Sequence, residues 1–282
     1  MKIMLSKEGY KLNPSLFNAL IIVVIYAVFV VVIESLIGVP YTEFSKSTLN
    51  MFYGVLIPIS LGSVFLTIFA LWSGWWNDIW RDKYHIKDHG WMHIFLVLFI
   101  VAISMNFLVG HIGSLSSTYI VVTLVATIIV GYSEELLTRG LLICGARGSG
   151  YSEVKVFYIV MIVFGFIHGI NYINGQSLGL TIQQMFIAGL LGGVFYTIYR
   201  KTGYLIVPMI MHALWDFSLF TQGFNFVGEL TTTSTGNYNP FQIIGIVAIY
   251  STFLLLILAV RNFNVEKSGS KISQWEYSPK NS

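Results

Sequence analysis

Residues 118–143 read TYIVVTLVATIIVGYSEELLTRGLLI. As an α-helix this run is long enough to cross a bilayer, whose hydrocarbon takes about 20 apolar residues to span. It nevertheless carries Glu134, Glu135 and Arg139. A charged side chain in hydrocarbon costs at least about 2.5–3.5 kcal/mol, so each of the three needs a partner or a chemical task. Further apolar runs lie near 16–39, 51–75, 92–110, 154–172, 180–199, 203–220 and 241–260. Each is bounded by polar or Gly/Pro-containing segments, as successive membrane spans are. The expected fold is all-α, a polytopic membrane helical bundle of about eight transmembrane helices forming one integral membrane domain over 1–282.

Composition and charge agree. Of 282 residues, 55% are hydrophobic and 10% charged, against the roughly 25% charged of an ordinary soluble domain. The net charge of +3 is sorted by loop and not gathered into a patch, so no nucleic-acid partner is expected. Lipid is the expected surrounding. Cytoplasmic loops collect Lys and Arg, and placing the N-terminus inside puts fifteen of the sixteen basic residues in internal segments, with Lys46 alone outside. Both termini are then cytoplasmic. The first span is longer than a secretory h-region and is read as retained. Residues 221–240 read as an external loop and 264–282 as a mobile cytoplasmic tail. The single cysteine, Cys144, allows neither an internal disulfide nor a thiolate metal cluster.

Helical geometry sorts the polar residues inside the spans. Each residue turns the chain by about 100°, so adjacent Glu134 and Glu135 point different ways. Glu135 precedes Arg139 by four, the favourable order for an intrahelical ion pair. Glu134 shares its face with Thr138 and lacks a local cation, which suits a general base. His168 follows Phe164 by four, and Asp216 follows His212 by four. At 1.5 Å per residue, Glu134 and His212 lie roughly 14 Å and His168 roughly 21 Å from the cytoplasmic ends of their spans. Those depths are compatible with one shared pocket, given ordinary helix tilts. A carboxylate to activate water and polar donors to hold an oxyanion suit hydrolysis. Glu34, near the external end of the first span, is a further intramembrane acid. Gly165 and Gly169, and Gly189 and Gly193, stand four apart and are read as close-packing positions between helices.

Taken together these residues resemble the CAAX protease and bacteriocin-processing (CPBP, Abi) family of intramembrane endopeptidases. Its Glu-Glu-x-x-x-Arg motif matches Glu134, Glu135 and Arg139; its Phe-x-x-x-His motif matches Phe164 and His168; its His-x-x-x-Asn/Asp motif matches His212 and Asp216. The motif-bearing core is 118–220. The resemblance implies a peptidase in which Glu134 and His168 activate water while His212 and Asp216 bind the oxyanion. Glu135, Arg139 and Phe164 would hold the site together. The implied partner is a membrane-associated peptide or protein, whether a CAAX protein, a pheromone precursor or a bacteriocin leader; the oligomeric state is left open. Asp stands at the final position where family members commonly have Asn, and it donates a hydrogen bond only when protonated. A zinc ion held by Glu134, His168, His212 and Asp216 stays open as an alternative.

The sequence contains no His-Glu-x-x-His and no Gly-x-Gly-Asp, which argues against zinc site-2 and presenilin-like chemistry. His85, His89 and His93 are spaced by four, but Gly90 interrupts them and the segment reads as a charged loop. Two other function classes compete with the peptidase: a non-catalytic bacteriocin-immunity or scaffold protein, and a proton relay or transporter. No inverted repeat supports the last.

Overall fold

The structure, a computed structural model, describes residues 9–110, 112–222 and 239–263. The expected tail at 264–282 and most of the expected loop at 221–240 lie outside the described residues. Seven described helices are long and apolar enough to cross a membrane: α1 Leu16–Ile37, α2 Thr48–Ser73, α3 Gly90–Val109, α4 Ser117–Gly148, α5 Glu153–Tyr172, α6 Leu178–Thr202 and, last in the chain, α8 Pro240–Asn262. Between α6 and α8 lies α7, Ile206–Phe220. The remaining expected span, 203–220, is therefore shorter than expected. Gly203 ends α6 in the left-handed conformation at φ 78°, and Tyr204 pairs with Arg81 in an isolated β-bridge. Those residues are used in the turn, and fifteen residues of α-helix reach only about 22 Å.

Polar caps start the long helices. The hydroxyls of Ser15, Ser116 and Ser177 accept from Asn18, Tyr119 and Leu180 amides and so begin α1, α4 and α6. Each satisfies an amide that the first turn leaves unpaired. The outward faces are apolar, with Val24, Val28 and Leu36 on α1 and Leu254 and Ile257 on α8 exposed. Lipid covers such faces, and the chain is a multi-pass membrane protein.

Two close helix approaches position the polar residues. At Gly131 of α4, an added Cβ would lie 2.6 Å from the Met209 carbonyl oxygen and 3.0 Å from the Ala213 nitrogen of α7. At Gly165 of α5, it would lie 2.5 Å from the Met185 carbonyl oxygen and 3.3 Å from Gly189 Cα of α6. The small-residue packing expected of Gly165 and Gly189 is present, and Gly131 adds a contact of the same kind.

One end of the bundle is tied by a buried charge network. Arg147 meets Asp82 at 3.0 Å and Glu153 at 2.8 Å; Arg200 meets Asp82 at 2.7 Å and also pairs with Glu153. Lys201 Nζ donates to the carbonyls of Ile86, Lys87 and Asp88. The connection between α2 and α3 is thereby fastened to α4, α5 and α6. At the opposite end, a 3₁₀ turn over Tyr41–Lys46 is joined to the α5–α6 connection by Tyr41 N donating to Asn174 O at 2.8 Å.

Candidate active site

The polar segment of α4 begins where its hydrogen-bond ladder changes. Regular α-helix ends at Glu135, and Leu136–Leu142 is π-helical before α-helix resumes at Ile143. Such insertions recur at functional sites because they re-aim the side chains around them. The expected ion pair is present: Arg139 Nη1 donates to Glu135 Oε1 at 2.9 Å, with both side chains 0% exposed. Arg139 also donates to Thr138 Oγ1 at 2.7 Å and, through Nη2, to Gly192 O of α6 at 2.8 Å. Its guanidinium carbon lies 4.3 Å from the Phe164 ring centroid and 5.3 Å from that of Phe195. Phe164 is thus an aromatic platform for the buried cation. Phe195 shares that task and was not anticipated from the sequence.

Glu135 has a second partner across the helix boundary. Its Oε1 also accepts from His212 Nδ1 of α7 at 2.9 Å, a contact that the close approach at Gly131 permits. Phe195 stacks on the His212 ring, centroids 4.9 Å apart and planes 20° apart. His212 Nε2 then points between Glu134 Oε2 at 3.9 Å and Asp216 Oδ2 at 3.5 Å. The contact of His212 with Asp216, four residues on, is thus looser than the unexpected one with Glu135.

His168 lies where α5 tightens from α-helix into a 3₁₀ turn over His168–Tyr172. Its Nδ1 is 2.7 Å from Phe164 O. A carbonyl only accepts, so Nδ1 carries the hydrogen and the neutral ring keeps its lone pair on Nε2. The ring meets Phe164 edge-on at 5.0 Å. Phe164 therefore fixes both Arg139 and His168, which gives its four-residue spacing from His168 a physical meaning.

Glu134, His168, His212 and Asp216 line one cavity of about 130 Å³. Three helices, α4, α5 and α7, bring them together as their depths in the spans suggested. The facing wall is less legible in the sequence. It includes Tyr26 and Glu34 of α1, Tyr41 of the following turn, Asn171, and Gln184 of α6. Only Glu34 among these stands out in the sequence. Tyr26, Val30 and Glu34 do repeat at four-residue intervals, which marks one face of α1; Tyr26 hydrogen-bonds Ser133 across that face at 2.8 Å.

Among the described residues no group of three or more His, Cys, Asp and Glu side chains is gathered to hold a metal ion. Glu134, His168, His212 and Asp216 are thus not gathered as the zinc alternative requires; with Nδ1 of His212 held by Glu135 and that of His168 by Phe164 O, the Nε2 atoms are the ring nitrogens left to act. His85, His89 and His93 form no cluster either; His89 adopts φ 58°, and His85 Nδ1 lies 3.2 Å from Asp82 O.

Residues 116–218 match the family model described as Rce1-like, type II CAAX prenyl endopeptidase Rce1-like. No curated protein and no solved structure matches the chain. The matched stretch holds Glu134, Glu135, Arg139, Phe164, His168, His212 and Asp216, and it excludes the α1 wall of the cavity. Residues 116–218 of this multi-pass membrane protein are a domain of the Rce1-like type II CAAX prenyl endopeptidase family, a peptidase family.

Proposed function

We propose that the protein is an intramembrane endopeptidase that hydrolyses a peptide bond of a membrane-associated peptide or protein, with Glu134 and His168 activating water. The observation that carries this reading is the shared cavity: one carboxylate with no cation on its own helix face, one imidazole with Nε2 free to accept, and a second imidazole flanked by Asp216. Water held between Glu134 and His168 Nε2 gives a proton to Glu134 as its oxygen attacks the substrate carbonyl carbon. The carbonyl oxygen becomes an oxyanion and takes hydrogen bonds from His212 Nε2, in the imidazolium form, and from protonated Asp216. Collapse breaks the carbon–nitrogen bond, and Glu134 returns its proton to the leaving amine. Glu135, with Arg139 behind it, orients His212 through Nδ1 so that Nε2 faces the cavity.

The termini are proposed to be cytoplasmic. The charge asymmetry of the sequence supports this, as does the gathering of Arg81, Arg147, Arg200 and Lys201 at one end of the bundle, away from Lys46. The cavity wall formed by Tyr41 and Asn171 then lies toward the external side.

Cleavage of a panel of membrane-proximal peptides by detergent-purified protein tests the reading. Glu134→Gln and His168→Ala should each lose cleavage while staying folded, and a metal chelator should leave wild-type cleavage unchanged. No cleavage by wild type would favour a non-catalytic immunity or scaffold role, and equal cleavage by wild type and both variants would overturn the assignment of Glu134 and His168.

A further inference from the structure

Glu34 lies outside the family domain and outside the proposed hydrolytic steps, yet it lines the same cavity and is only 8% exposed. Asn174 Nδ2 donates to its Oε2. No described Lys or Arg lines the cavity, and no described cation forms an ion pair with Glu34. A buried acid without a compensating cation is costly in its charged form, and a cationic partner arriving from elsewhere would offset that cost.

The surroundings of Glu34 are built as a polar shelf. Asn171 Nδ2 donates to Gln184 Oε1 at 2.8 Å, and Gln184 Nε2 donates to the Tyr41 hydroxyl at 2.7 Å. Tyr41 N in turn holds the Asn174 carbonyl at 2.8 Å, which fixes the residue that supports Glu34. Four segments thus converge on one wall: α1, the Tyr41 turn, the end of α5 with the residues after it, and α6. α1 joins this wall to the reactive side chains. Tyr26 touches Ser133, the neighbour of Glu134, at 2.8 Å, and Glu34 lies two helical repeats further along the same face.

We propose that this wall is a substrate-reading subsite in which Glu34 receives a cationic group, a Lys or Arg side chain or an α-ammonium, at one fixed register from the scissile bond. The proposal rests on the peptidase reading and narrows its substrate class. A free carboxylate at the same position would meet Glu34, with no described Lys or Arg in the cavity wall to offset it.

The test uses one neutral membrane peptide and variants with a single Lys walked from two to five residues on either side of the cleaved bond, with matching Gln and Glu peptides. Wild type should prefer Lys over Gln by roughly tenfold or more in kcat/KM at one position within that range, and should disfavour Glu there. Glu34→Gln should lose that preference at that position alone, and Glu34→Lys should reverse it toward Glu. Glu34→Asp, which keeps the charge, should retain part of it and guards against a folding defect in the other two. Binding of the same peptides to Glu134→Gln protein reads the preference without turnover. A flat Lys profile in wild type, or an unchanged profile in Glu34→Gln, overturns the subsite. Glu134-dependent cleavage with a flat profile would discard the subsite and leave the peptidase reading standing; a Glu34-dependent Lys preference in binding, with cleavage that ignores Glu134, would do the reverse.

Discussion

Glu135 Oε1 accepts from both Arg139 Nη1 and His212 Nδ1 at 2.9 Å, so one carboxylate serves a buried cation and a cavity-lining imidazole together. Removing it strands Arg139, which is 0% exposed, and breaking such a pair typically costs about 3–5 kcal/mol. Glu135→Leu should therefore lower the thermal unfolding temperature in detergent strongly, whereas Glu134→Gln, which breaks no ion pair of Arg139, should leave it nearly unchanged. Equal melting of the two variants would refute this division of labour. The Glu135–Arg139 half of the arrangement was legible because both residues lie on one helix four apart. The His212 half was not, since a contact between two spans leaves no periodic trace. The contact that spacing does make visible, His212 with Asp216, is the longer one at 3.5 Å. Phe195 escaped notice for a related reason: an aromatic residue in an apolar span carries no mark of the cation and imidazole that it covers.

At the scale of elements, the approach of α7 to α4 at Gly131 is what lets His212 reach Glu135. A Cβ there would sit 2.6 Å from the backbone oxygen of Met209, and backbone cannot swing aside as a side chain does. Gly131→Val should push α7 away, separate His212 from Glu135 and abolish cleavage with a measurable loss of thermal stability. Gly113→Val, where nothing lies within 4 Å of the added carbon, should do neither. Retained cleavage in Gly131→Val would show that the helix contact is not what sets the site. Long apolar runs made seven spans readable. The 15-residue length of α7 was not readable, because Tyr204 and Leu205 look like apolar helix while the structure uses them in a turn and bridge. The π-helical segment over Leu136–Leu142 was equally hidden, since it keeps the four-residue contact from Glu135 to Arg139 while changing the ladder around it.

For the whole molecule, the cavity has two walls of different origin. The catalytic candidates come from the Rce1-like stretch 116–218, and Tyr26, Glu34 and Tyr41 come from the chain before it. The motifs made the first wall legible; the second is assembled by packing of α1 against α4, and only the buried acid Glu34 hinted at it. Orientation in the bilayer is tested with single cysteines in a Cys144→Ala background. Lys46→Cys should react with a membrane-impermeant maleimide added outside intact cells, and Lys83→Cys only after permeabilisation. The opposite labelling would invert the topology. The central claim, that Glu134 activates water in this cavity, is tested most directly by turnover of one membrane peptide at saturating concentration, comparing wild type with Glu134→Gln after equal peptide binding has been established. A loss of about 10²–10⁴-fold in kcat at unchanged occupancy is predicted for removal of a general base; equal kcat would contradict it.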